Sequence, residues 1–259
     1  MNSIKKGLIY LAAILAGTFM TSCEKDNTLQ YNNATMGNMV DGIFVSDQGN
    51  RFNIVDQRCD GQLDEMKRAF IVCDVLNKSA GGGENDYDVR LNHIASVLTK
   101  DVVLHTDVTE EMIIQDPIHI ENAWISGGYI NMVIMFPSKV GSSTSHLINL
   151  VHEGGMTDQQ TKEEIAGTYR FTLRHNSFED KISTQPADYV MAGGYVSFPL
   201  STYITEKEAD FSIEWTSHIS VGAGLSSETE VKSLKGKYTS DGFQHAPQNP
   251  AVQTMAIVE

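Results

Sequence analysis

The sequence predicts an all-β protein made of two successive β domains, and three observations carry that reading. From Asn38 onward, short apolar runs alternate with turn signals, and several of these runs have strict period-two alternation. Long helical periodicity is nearly absent. The composition is that of a globular protein, 41% hydrophobic and 20% charged, and 259 residues can build one large or two small cores. The net charge of −14 argues against nucleic acid as a partner, because phosphate binding needs a basic footprint. Lysine and arginine are scattered; beside Lys67-Arg68, the basic pair that stands out is Lys5-Lys6.

That pair opens a targeting segment. It precedes the apolar run GLIYLAAILAGTFM, which falls short of the roughly 20 apolar residues a spanning helix needs. Thr21, Ser22 and Cys23 follow. A positive end, a short apolar core, small residues and a cysteine resemble a bacterial lipoprotein signal, although Met20 replaces the leucine usual at its position. The resemblance implies cleavage after residue 22 and lipidation of Cys23. Two or three acyl chains make a stable anchor, since each buried CH₂ contributes about 0.8 kcal/mol. Residues 23–35 are polar and unpatterned, and read as a flexible tether. Loss of residues 1–22 removes Lys5 and Lys6 and takes the net charge from −14 to −16. Such a protein should stand off an anionic leaflet rather than lie on it.

Residues 36–106 read as the first β domain. MVDGIFVS, the turn at Asp47 to Asn50 and RFNIVDQ form a strand, a turn and a strand. A polar link leads to RAFIVCDVL, a run suited to a central strand. Gly81-Gly82-Gly83 marks a loop, and YDVRLNHIASVL alternates at first, then takes helical spacing at Ile94, Val97 and Leu98. This predicts a strand ending in a turn of helix.

TDVTEEMIIQDP reads as the connector to a second domain over residues 107–259. INMVIMF, residues 130–136, is apolar on both faces and should lie at a sheet centre. YRFTLRHN and FSIEWT alternate cleanly, with Phe171, Leu173, Phe211, Ile213 and Trp215 facing inward. TDQQTKEEIAG is the one predicted helix, from the capping-box spacing of Thr157 and Gln160 and a terminating Gly167. Two sheets packed face to face are the economical arrangement for so many strands.

The chemistry-bearing residues show no familiar catalytic pattern. HEGGM starts like a zinc-protease helix but has Met156 where the second histidine belongs. Neither a G-x-S-x-G elbow nor a Gly-Lys-Ser/Thr phosphate loop is present. The loop bearing Asp56, Asp60 and Asp64 fails as a calcium loop, with Arg58 and Lys67 at ligand positions. His146 and His152 bracket one strand about 20 Å apart, too far to share an ion. His175-Asn176 reads as turn chemistry, and no metal or other cofactor is expected. An exported chain permits a disulfide between Cys59 and Cys73, while Cys73 suits a small buried hydrophobe as well.

One internal echo pairs SGGYIN at residues 126–131 with AGGYVS at residues 192–197. One reading makes Trp124, Tyr129 and Tyr195 an exposed binding surface. The other, favoured, has Gly-Gly relaxing a bulge or crossover while the tyrosines pack at a sheet edge.

With FVSDQGNRFNIV, KRAFIVCDVLN, YDVRLNHIASVLTK, AWISGGYINM, HLINLVH and TLRHN on the page, the chain resembles the NigD-like family of Gram-negative anaerobes. The resemblance covers nearly all of the mature chain. It implies an N-terminal OB-like small barrel followed by a C-terminal β-sandwich, on a lipid-anchored exported protein. The family brings no catalytic residues to carry over. The expected function is a non-enzymatic cell-envelope protein, held in the outer membrane by its N-terminal lipid, that binds a protein or glycan partner. Alternatives are a bacteriocin-associated immunity or assembly factor, from the family's name, and an envelope hydrolase with an unrecognised carboxylate pair.

Overall fold

A computed structural model describes residues 32–178, 180, 188–221 and 224–242. The expected signal peptide, the Cys23 lipidation site and residues 24–31 of the expected tether lie outside the described residues. The tether's last four positions do not behave as expected. Residues 32–35 already pair with Asp74 to Ile71, and Ala34 is buried, so the barrel begins earlier than residue 36. Their polar composition hid a strand, because NNAT offers little alternation to read.

The first domain is a closed barrel of β1 (Asn32–Val40), β2 (Ile43–Ser46), β3 (Arg51–Gln57), β4 (Arg68–Lys78) and β5 (Asp86–Thr99). β1 pairs with β2 and β4, β2 with β3, β4 with β5, and β3 closes the circle by running parallel to β5. This is the five-stranded Greek-key barrel of the OB type. Phe44, Phe52, Ile71, Cys73, Val89 and Leu91 fill it. No helical turn interrupts β5. Its pairing to β4 skips Asn92, a bulge that shifts the alternation by one residue. Past it, Ile94 packs on the barrel core and Val97 on the opposite face against the sandwich, so their helix-like spacing is that of a strand covered on both faces.

The second domain is a sandwich. One sheet holds β11 (Tyr189–Pro199), β8 (Tyr129–Lys139) and β7 (His119–Ser126). The other runs β13 (Gly224–Thr239), β12 (Glu208–Val221), β10 (Thr168–Asn176), β9 (Leu147–His152) and β6 (Val103–Leu104). Ile130, Ile134, Phe136 and Phe198 from the first sheet meet Leu150, Phe171, Ile213 and Trp215 from the second. The connector contributes one turn of helix, α1 (Glu110–Ile113). β6 pairs with β9, so the sandwich draws in residues before position 107.

The expected helix over TDQQTKEEIAG is absent. The segment is a tight loop in which Asp158 accepts from the backbone N–H groups of Gln160 and Thr161, and Thr157 bridges Glu164. With Ile165 its only large apolar residue, it has no face to bury, and a helix that short gains too little from packing.

The domains are not beads on a string. β5 leaves the barrel and its end pairs in parallel with β11, Tyr195 to Ser197 opposite Val97 to Thr99. One sheet therefore runs from barrel into sandwich, and the outer face of β8 and β11 lies against the outside of β1 and β4. Ala34, Met36 and Phe70 there meet Trp124, Val133 and Tyr195 in a third, smaller core.

Candidate functional site

The most concentrated polar chemistry lies at this junction and starts from one residue. β4 is apolar on both faces, because one lines the barrel and the other covers the sandwich. Arg68 opens that strand on the sandwich-facing side and is only 2% exposed. A buried guanidinium needs an opposite charge and partners for every N–H. Asp47, in the β2–β3 turn, supplies a two-pronged carboxylate at 2.8 and 2.7 Å. Arg68 Nη2 also donates to Asn131 Oδ1 at 2.9 Å, Nε to Ser197 Oγ at 3.0 Å and Nη1 to Asn38 Oδ1 at 3.2 Å. The Tyr129 ring stacks beneath it, 4.0 Å from the guanidinium carbon to the ring centroid.

The sandwich side is equally interlocked. Ser197 donates to Asn131 Oδ1 at 2.6 Å, Asn131 Nδ2 to Ser126 Oγ at 3.0 Å, and Ser126 to Asp47 Oδ2 at 2.5 Å. Here the internal echo finds its role. β8 and β11 run antiparallel with Asn131 opposite Ser197, so the polar residues that end the two GGY motifs become cross-strand neighbours around Arg68. Gly127 and Gly128 form the β7–β8 turn with φ of 60° and 81°. A Cβ on Gly127 would lie 2.6 Å from Asp47 Oδ1, so glycine is what lets the barrel's carboxylate reach in.

The exposed binding surface that the less favoured reading made of Trp124, Tyr129 and Tyr195 does not exist as such. Trp124 and Tyr195 are 4% and 3% exposed, inside the junction core, and Tyr195 stacks on Phe70 with centroids 4.5 Å apart. Burial, and then the charge of Glu121, push the Tyr195 hydroxyl up to about 12. Alternation could place these rings on the sheet's outer face but could not show that a barrel covers it. Tyr129 alone keeps partial exposure, beneath Arg68.

Cys59 and Cys73 do not form a cystine. Both pack on the barrel core, Cys73 from the inward face of β4, and burial pushes the Cys73 thiol up to about 12 and raises Cys59 as well. Neither is poised as a thiolate. His175 is no turn residue: it is buried on β10 and its ring lies 2.9 Å from that of His146. Among the described residues no cluster of His, Cys, Asp and Glu is arranged to hold a metal ion.

Two cavities adjoin these features. One, of about 330 Å³, lies beside the junction and is lined by Asp47, Gln48, Gly127, Gly128, Ser240 and Asp241. The other, also about 330 Å³ and mostly apolar, lies at the opposite end of β8 among Pro117, His119, Met135, Tyr189, Met191 and Leu225. Among the described residues no helix is long and apolar enough to cross a membrane.

Geometry of this kind defines a class: an OB-type barrel welded edge-on and face-on to a β-sandwich by a buried ion pair. Residues 101–222 match the family model described as the NigD-like C-terminal beta sandwich domain. The match falls on the second domain, which is a sandwich of the NigD-like C-terminal type. Three solved structures share the fold. A protein from Parabacteroides distasonis described as related to a toxin is 21% identical, with 80% of this chain and 92% of that one covered at a TM-score of 0.51. A protein of unknown function from Bacteroides vulgatus is 18% identical, with 87% and 97% covered at 0.53. A NigD-like immunity protein from Bacteroides caccae is 15% identical, with 81% and 97% covered at 0.51. At these identities the likeness is one of fold. No curated protein matches the chain.

Proposed function

We propose that this protein is a non-enzymatic, lipid-anchored component of the cell envelope that presents its two fused domains as one rigid surface to a protein or glycan partner. The observation that carries the reading is the junction. A shared sheet and the Arg68–Asp47 pair fix barrel against sandwich, which suits recognition by a preformed surface. The polar side chains of the junction, Arg68, Asp47, Ser126, Asn131 and Ser197, are committed to one another rather than aimed into a cleft. Asp47 and Asp241 line a common cavity, but Asp47 is spoken for by Arg68 and Ser126, so a hydrolase carboxylate pair is disfavoured there. The anchor comes from the sequence: Lys5-Lys6, the short apolar run and Cys23. The outer membrane is its proposed location, with the polar residues after Cys23 as a spacer.

Anchoring is tested by Cys23→Ser, which should move the protein from the membrane to the soluble fraction; retention in the membrane would refute it. Partner binding is tested by cross-linking and pull-down of the native lipidated protein from intact cells. A reproducible protein or glycan partner, lost when the exposed face is altered, supports the reading, and detection of turnover of an envelope polymer overturns it. A second reading, an immunity factor of a bacteriocin system, is favoured by the fold shared with the Bacteroides caccae protein described in those words. It predicts that a deletion strain becomes sensitive to a bacteriocin made by its own kin.

A further inference from the structure

Behind the wall of the apolar cavity lies a buried chain of ionisable groups that the proposed function does not use. Asp180, in the segment after β10, His146, just before β9, and His175, on β10, are 2%, 1% and 2% exposed. His146 Nε2 lies 2.9 Å from Asp180 Oδ2, His146 Nδ1 lies 2.9 Å from His175 Nε2, and His175 Nδ1 faces the carbonyl oxygens of Pro117 at 3.1 Å and Asp116 at 3.3 Å. Phe136 stacks on His146 with centroids 4.4 Å apart.

Counting hydrogens decides the charge. Carbonyl oxygens only accept, so His175 Nδ1 carries a hydrogen. One hydrogen must lie between the facing ring nitrogens. Asp180 also accepts from the Ser138 hydroxyl at 2.6 Å and the Lys139 backbone N–H at 3.0 Å, which favours its carboxylate form, so His146 Nε2 supplies the third hydrogen. Two neutral imidazoles own only two ring hydrogens. We propose that His146 is held as an imidazolium between Asp180 and neutral His175, and that this single extra proton is a pH-sensitive latch on the cavity end of the sandwich.

The latch ties three separate stretches together. Pro117 and Asp116 belong to the connector ahead of β7, Ser138 and Lys139 to the end of β8, and Asp180 to the segment between β10 and β11. Pro117, whose carbonyl faces His175, and Pro137, next to Ser138, also line the cavity. The charged groups facing the pair are Asp180 and Asp116, and Asp116 is itself held by the backbone N–H and hydroxyl of Ser177. When pH rises and the extra proton leaves to solvent, one of the three hydrogen bonds loses its hydrogen. When pH falls and a second proton joins His175, two N–H groups point at each other. Either change opens the latch, which is closed only at one proton.

Long-range ¹H–¹⁵N spectra of the full chain at pH 7 test this directly. The expected result is His146 protonated on both ring nitrogens and His175 bare at Nε2 alone. Two bare nitrogens in the pair would overturn the proposal without any mutant. Asp180→Asn, which removes the counter-charge, should restore two neutral rings. It should also speed hydrogen exchange of the Asp116 amide, which donates to the His175 carbonyl, by about tenfold or more, while Ile71 in the barrel keeps its rate. Retention of three ring hydrogens in Asp180→Asn, or an unchanged Asp116 rate, would refute the latch.

Discussion

If the Arg68–Asp47 pair is what fuses barrel to sandwich, Asp47→Ala should be among the most damaging single substitutions outside the apolar cores. The side chains of Arg68 and Asp47 are 1% and 2% exposed, so water cannot replace the lost carboxylate. The substitution removes two charge-assisted hydrogen bonds and the acceptor of Ser126, leaving a buried cation with the neutral oxygens of Asn131, Asn38 and Ser197 and the Tyr129 ring. Breaking one side of a buried pair costs about 3–5 kcal/mol. For a chain of this size that corresponds to a fall in melting temperature of roughly 6–20 °C. Arg68→Met leaves a buried carboxylate instead and should cost a similar amount. The double variant, with no charge to strand, should be well short of the sum, by about 2 kcal/mol or more.

The two tryptophans make the assay specific. Trp124 lies in the junction core and Trp215 in the sandwich core, so Trp215→Phe and Trp124→Phe backgrounds report the two places separately in denaturant titrations. In Asp47→Ala the Trp124 signal should change at lower denaturant than the Trp215 signal. A loss under about 1 kcal/mol, or single effects that simply add in the double variant, would refute the keystone role of this pair.

Acid should weaken the fold through His175. Burial, and then the charge of His146, depress its pKa from 6.5 to about 4, so on acidification the unfolded chain takes up this proton first. Its contribution is complete above pH 6.5 and falls away toward pH 4, by roughly 3 kcal/mol in all, and urea titrations across that range check it. A flat profile between these values would contradict it. Gly193→Ala should destabilise the fold by more than about 1 kcal/mol, since a Cβ there would lie 2.1 Å from the Ile134 carbonyl oxygen of the neighbouring strand; a melting temperature within a degree of the parent would count against that register. Reductant should leave the melting temperature unchanged, and thiol reagents should label Cys59 far ahead of Cys73 in the folded protein.

Period-two alternation identified the inward residues of β10 and β12, and the doubly apolar run of β8 identified the sheet's centre, because each depends only on what covers a face. The expectations that failed depended on which element does the covering. Trp124 and Tyr195 stand on an outer face that would be wet in a free sandwich, and the barrel turns that face into a core. Ile94 and Val97 face two different cores, barrel and junction, and a strand covered on both faces mimics the spacing of a helix. His146 and His175 are 29 positions apart and meet only through the β9–β10 register, where His175 lies opposite Ile148. Arg68 is the instructive case, because its signal was present. RAFIVCDVL is apolar on both faces, and Arg68, Phe70 and Val72 share one of them. A charge that opens such a strand cannot reach water on either side, so it had to have a buried counter-ion. Alternation can require that partner, but only the tertiary pairing of a barrel turn with the ends of two GGY motifs can name Asp47, Asn131 and Ser197.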